Sequence, residues 1–153
     1  HAAGALGTGA LPLRPPDETP PSETSSTAMD GAFLRELRRN LQTIAWKYAG
    51  VVRTADGLQK GLACLEDLFS RIRRLPAHPP ERGRIRMDLL SMGKMIHAIL
   101  VVSMVRQESR GCFIRKDFPE ENNKRWLKNS CVRWVAGFGK SSVSHCPSEG
   151  IRV

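Results

Sequence analysis

Aromatic side chains are scarce in this chain, at 6% of 153 residues with a single tyrosine. They do not interleave with the Lys and Arg residues, which are spread along the sequence. Grooves for single-stranded nucleic acid combine cations with stacking aromatics, so the basic charge alone argues only weakly for such a partner. Cysteine is also sparse. Cys64, Cys112, Cys131 and Cys146 form no Cys-x-x-Cys pair, and His145-Cys146 has no second pair at metal-ligand spacing. A zinc site and a secreted disulfide framework are therefore not expected, and a reduced compartment is. Cys64 falls inside a predicted helix, where a thiol is usually a small buried hydrophobe. The longest apolar run, Met95 to Val105, contains His97 and Ser103 and is too short to cross a bilayer. The basic-then-apolar order of a signal peptide is missing. The chain opens on His1 rather than Met, which reads as a processed or incomplete product.

Phosphate-binding loops are missing as well. Gly4, Gly7 and Gly9 have the wrong order for a dinucleotide loop and no strand before them. Gly139-Lys140-Ser141 ends like a P-loop, but the required first glycine falls at Trp134. Gly137 and Gly139 read instead as a hairpin turn. No Ser/His/Asp set assembles from sequence order, and His97, on an apolar helix, reads as a core histidine. No catalytic, cofactor-binding or metal-ligating residue is expected in this chain.

What is present is positive charge, apolar periodicity and a few dense motifs. The net charge is +9. Arg14 against Asp17, Glu18, Glu23 and Asp30 leaves residues 1–30 at −3, so the rest carries +12. A basic body suits nucleic acid, an anionic membrane surface or an acidic protein neighbour. Residues 1–29 are rich in Pro and Ser and read as a disordered linker.

Residues 30–110 predict a three-helix bundle. A first helix spans Gly31 to Ala49, capped by Asp30 and stopped by Gly50. Its stripe is Leu34, Leu37, Leu41, Ile44, Ala45 and Tyr48. A second spans Ala55 to Arg74 with Thr54 as N-cap and Leu58, Leu62, Leu65, Phe69 and Ile72 on one face. A third spans Ile85 to Arg110. Its middle is apolar nearly all round, so it is covered on several sides or covers something. Residues 111–153 predict an extended strip and a β-hairpin built on Ser130 to Val135 and Ser141 to Cys146. The fold class is thus mainly α, with a spiral-bundle-like set of three helices before a terminal hairpin.

The densest motif is Glu108-Ser109-Arg110-Gly111-Cys112-Phe113-Ile114-Arg115-Lys116-Asp117-Phe118-Pro119, with Trp126 following. Glu108 to Arg110 are expected to finish the third helix, and Gly111 to take the left-handed conformation that stops it. Arg110, Arg115 and Asp117 then offer charges along a strip that another surface could read. Gly50-Val51-Val52-Arg53 reads as an interhelical turn burying two valines, with Arg53 in a salt bridge or a carbonyl contact.

These motifs resemble the C-terminal domain of the succinate dehydrogenase and fumarate reductase flavoproteins, a family that includes L-aspartate oxidase and adenylylsulfate reductase. Glu-Ser-Arg-Gly, Arg-x-Asp-aromatic-Pro, the aromatic followed by Gly-Val-Val-Arg, and Trp126-Leu127-Lys128-Asn129-Ser130 fall in the family's order over roughly residues 31–145. The chain departs from the pattern at Phe113, where family members commonly carry His, and at Asn122, Asn123 and Lys124, which replace a more acidic stretch. The resemblance implies a parent FAD-dependent oxidoreductase, cytoplasmic or peripheral to a membrane complex. This chain would pack on the flavin-binding domain, in cis or on a separate flavoprotein chain, without FAD or catalytic residues of its own. It also implies a docking set: Arg53, Glu108, Arg110, Gly111, Arg115, Asp117 and Trp126. The competing reading is a free-standing basic helical module that binds protein or nucleic acid and has no enzyme activity.

Overall fold

The computed structural model describes residues 24–134 and 141–147. Residues 1–23 of the expected linker, the early glycines and the Gly137/Gly139 turn lie outside those residues, whereas residues 24–29, also expected to be linker, are helical. Helix α1 is Thr24–Tyr48. It starts seven residues before the expected Gly31, so Asp30 lies within the helix rather than at its cap. Helix α2 is Ala55–Arg73, and its Thr54 cap is as expected: the hydroxyl accepts from the Gly57 amide at 3.1 Å.

Helix α3 is Pro80–Val105, displaced toward the N-terminus from the expected Ile85–Arg110. Pro80 fits the first turn because its missing N–H would have no partner there. At the other end Arg106 is already extended. Glu108 to Arg110 therefore do not finish a helix, and the reason is side-chain demand: Glu108 is pulled inward by three donors described below. At 26 residues α3 is long and apolar enough to cross a bilayer by length and composition alone, which Met95 to Val105 was not.

The three helices form the expected bundle. Leu37, Leu41 and Ile44 of α1, Leu58, Leu65, Leu68, Phe69 and Ile72 of α2, and Leu89, Leu90, Ile96 and Leu100 of α3 make one core. Each fully buried aliphatic of this kind contributes roughly 1.5–3 kcal/mol. Two glycines set how closely the helices approach. A Cβ on Gly61 would stand 2.8 Å from Tyr48 Cβ, and one on Gly93 would stand 2.6 Å from Phe69 Cε1. Cys64 is on α2 as expected but is exposed, because the apolar stripe of that helix faces elsewhere. His97 is in the core against Phe69 and Trp134, with ring centroids 6.5 and 5.1 Å away.

Beyond the bundle, strand β1 (Val52–Arg53) pairs in parallel with β2 (Ile114–Arg115), Val52 opposite Ile114 and Arg53 opposite Arg115. A short helix α4, Asn123–Trp126, is capped by Asn122. Strands β3 (Lys128–Trp134) and β4 (Ser141–Pro147) form the expected antiparallel hairpin. Ser130, Val132, Val143 and His145 lie on its half-buried face, and Cys131, Arg133, Ser144 and Cys146 on its exposed one.

Candidate domain-docking site

The β1–β2 pairing brings the Gly-Val-Val-Arg and Arg-x-Asp motifs into contact. The Ile114 amide donates to Val51 O and the Lys116 amide to Arg53 O, both at 3.0 Å. Arg53 then closes the end of α1. Its Nε donates to Gly50 O at 2.6 Å and an Nη to Ala49 O at 2.8 Å, while the other Nη reaches Ser103 Oγ on α3 at 2.6 Å. The expected carbonyl contact is thus present. The two valines are not buried, however: Val51 and Val52 are both about half exposed. Burial lowers the pKa of Arg53 from its ordinary value, and neighbouring Arg115 adds to the effect.

Arg115 closes the end of α3. It is buried, and one Nη donates to the carbonyls of Ser103 and, at 3.0 Å, Arg106. Its remaining donors form a two-pronged pair with Asp117, Nε to Oδ1 at 2.8 Å and Nη to Oδ2 at 2.6 Å. Asp117 Oδ2 also accepts the Ala55 amide at 3.1 Å, at the start of α2. Each guanidinium thus meets the negative end of a helix dipole, and the carboxylate meets a positive end. The Arg115 hydrogen bonds hold the Asp117 carboxyl at about 2, against an ordinary 3.8.

Glu108 is fully buried. It accepts from Arg106, from Arg110 at 3.1 Å and from the Asn122 amide at 3.0 Å. Burial would raise its pKa, but the hydrogen bonds from Arg110, Asn122 and Arg106 outweigh that and hold it below the usual carboxylate range. Arg106 was not among the expected residues. It carries the hairpin, donating to Trp126 O at 3.0 Å and Lys128 O at 2.6 Å. The sequence offered no periodic signal for this, since Arg106 follows a helix end that was misplaced.

Of the expected docking set, Arg115, Glu108 and Trp126 are buried within the chain and hold its own elements together. Trp126 packs edge-on to His145, with ring centroids 5.1 Å apart. Gly111 has the anticipated positive φ, 53°, and is exposed, but it sits in the turn between Arg110 and Phe113 and stops no helix, since α3 already ends at Val105. Arg110 and Asp117 keep about a third of their side chains in solvent.

Between the open side of α3, Phe113, α4 and β3 lies a groove of about 560 Å³. Its floor is Met95, Ala98, Ile99 and Val102, and Phe113 and Leu127 flank it. Arg53, Arg106, Arg110 and Lys128 line it, and no carboxylate does. Met95 is 66% exposed and Leu127 59%. Phe113, standing where an imidazole was expected from the resemblance, lies under the Arg53 guanidinium at 4.9 Å. The described residues contain no cluster of three or more metal-ligating side chains. They also contain no strand, glycine-rich turn and helix that could cradle a pyrophosphate. The arrangement offers an apolar trough lined by cations.

Known proteins resemble this chain in sequence or in fold. An uncharacterised FAD-dependent oxidoreductase of Methanocaldococcus jannaschii is 26% identical over 97 residues, covering 63% of this chain and 18% of that protein. L-aspartate oxidase of Synechocystis is 27% identical over 139 residues, covering 77% of this chain and 24% of that protein. The structure of adenylylsulfate reductase from Archaeoglobus fulgidus superposes with a TM-score of 0.67 at 22% identity, over 74% of this chain and 19% of that one. The chain thus spans about a quarter or less of the length of these relatives. The family described as fumarate reductase flavoprotein C-terminal matches residues 38–148, and the chain belongs to it.

Proposed function

We propose that this chain is the C-terminal part of an FAD-dependent oxidoreductase and that its groove packs against the flavin-binding domain of the same protein. The observation that carries this reading is the open face of α3. An apolar floor with Met95 two-thirds exposed is costly to leave in water. The relatives are several times longer than this chain, so a covering domain is at hand in each of them. FAD, when bound by that domain, supplies the hydride chemistry. The residues of this chain hold the covering surface in shape and take no part in the reaction. α3 then serves as the central bundle helix, its open side met by protein rather than lipid. Its buried His97 and Ser103, and the arginines bonded at its C-terminal end, suit that role.

Arg110, held by Glu108, Asn123 and Glu121, keeps about a third of its side chain exposed for the incoming domain. Intact mass and absorption spectrum of the gene product from its source cells test the reading. A mass several times that of this chain together with a flavin spectrum is expected. A colourless product of this chain's mass overturns it. In the larger protein, Arg110→Ala is expected to loosen flavin retention and lower thermal stability while the bundle still folds, and unchanged values for both remove Arg110 from the docking surface.

A further inference from the structure

We propose that Cys131 and Cys146 form a reversible dithiol–disulfide site on the outer face of the hairpin, oxidised by a small disulfide of the glutathione type. Their sulfurs lie 3.1 Å apart. The register explains the meeting. Cys131 stands opposite Ser144, and Cys146 opposite Asn129, so the two cysteines are diagonal neighbours on one face of a twisted antiparallel ladder. Both are exposed, so a reagent reaches them without unfolding. An approach of about 1 Å closes the bond. Contact with the Cys146 sulfur pushes the Cys131 thiol up from its ordinary value, so exchange is expected to quicken as pH rises. Cys64 on α2 and Cys112 beside Gly111 belong to other parts of the fold.

The chemistry balances by exchange. A thiolate of the pair attacks one sulfur of glutathione disulfide, breaking that bond and releasing one glutathione thiolate. The second cysteine gives up its proton and attacks the mixed disulfide. The Sγ–Sγ bond forms and a second glutathione leaves. The cysteines are oxidised by two electrons, and the reagent is reduced to two thiols.

The consequence falls on the hairpin, a two-stranded ribbon that leans on α3 and α4 and would be marginal without them. A covalent tie that closes the 15-residue span between the cysteines removes much of the freedom of its opened state. Lys128, Asn129 and Val132 of β3 line the groove, so oxidation stiffens one of its walls.

The experiment equilibrates the full chain in glutathione buffers of graded ratio, traps free thiols in acid and maps the peptides by mass. Expected is a Cys131–Cys146 cross-link lighter by two hydrogens, with Cys64 and Cys112 still alkylated. The same cross-link is expected in the Cys64→Ser/Cys112→Ser variant, and Cys131→Ser is expected to stall as a glutathione adduct at Cys146. Amide exchange across β3 and β4 is expected to slow roughly a hundredfold on oxidation. Unresolved glutathione adducts on both cysteines of the unaltered chain, bridges to Cys64 or Cys112, or intermolecular dimers overturn the proposal.

Discussion

Asp117 shows how one side chain can serve three elements. It answers the Arg115 guanidinium that closes α3, and it accepts the first amide of α2. Its carboxyl titrates at about 2, below the ordinary 3.8. A depressed carboxylate contributes stability that is complete above its unfolded value and is lost as pH falls through its folded one. The expected outcome is a loss of stability between about pH 4 and pH 2, and Asp117→Asn is expected to flatten that limb while lowering stability at neutral pH. Urea titrations at stepped pH check both points, and an unchanged acid limb in the variant contradicts the assignment. His97 contributes at a higher pH by similar reasoning. Burial lowers its pKa, so its contribution is complete above the ordinary histidine value and declines as pH falls below it.

At the scale of elements, the bundle is fixed by close approaches as much as by apolar stripes. Gly93 lets α3 lie against the Phe69 ring of α2. Gly93→Ala places a methyl inside contact distance of that ring, and the ring is in a filled core with little room to yield. Better intrinsic helix propensity is worth about 1 kcal/mol to alanine, whereas overpacking costs about 1–3 kcal/mol. A net loss of stability is therefore expected, and Gly93→Ala with an unchanged or raised melting temperature would mean that the helices separate freely. The stripes Leu37, Leu41 and Ile44, and Leu58, Leu65 and Ile72, were legible because a helix repeats every 3.6 residues. The end of α3 was not legible, because apolar periodicity does not register a carboxylate such as Glu108 drawn inward by three donors.

For the whole molecule, the +9 charge includes cations that hold the fold, and Arg53, Arg106 and Arg110 do so while facing the groove. Arg115 is spent on carbonyls and Asp117, which removes it from any external partner. The groove cations Arg53, Arg106 and Arg110 are likewise bonded to the chain's own carbonyls and carboxylates. Met95 distinguishes the roles cleanly, since it is 66% exposed and outside the core. Met95→Lys is expected to change the stability of this chain by no more than about 0.5 kcal/mol, as exposed substitutions do. In the larger flavoprotein it is expected to lower the melting temperature by several degrees, because a covered groove would bury an unpaired ammonium beside like charges. Parallel thermal melts check this, and equal shifts in both proteins remove the groove as the covered face.

The sequence by itself determined the three bundle helices apart from their ends, the Thr54 cap, the positive φ of Gly111 and the hairpin. These depend on neighbours within a turn or a strand, where propensity and periodicity act. It also carried the family resemblance, through motifs whose order survives without knowledge of their contacts. Only the tertiary structure decided what the motifs are for. From sequence, Arg53 is expected in a salt bridge or carbonyl contact and Arg115 on a docking strip, whereas the β1–β2 pairing sets the two side by side between helix ends. The cysteine pair was equally hidden, because strand register rather than spacing brings Cys131 to Cys146. Contacts between distant segments depend on how whole elements pack, and no local pattern of residue types encodes that geometry.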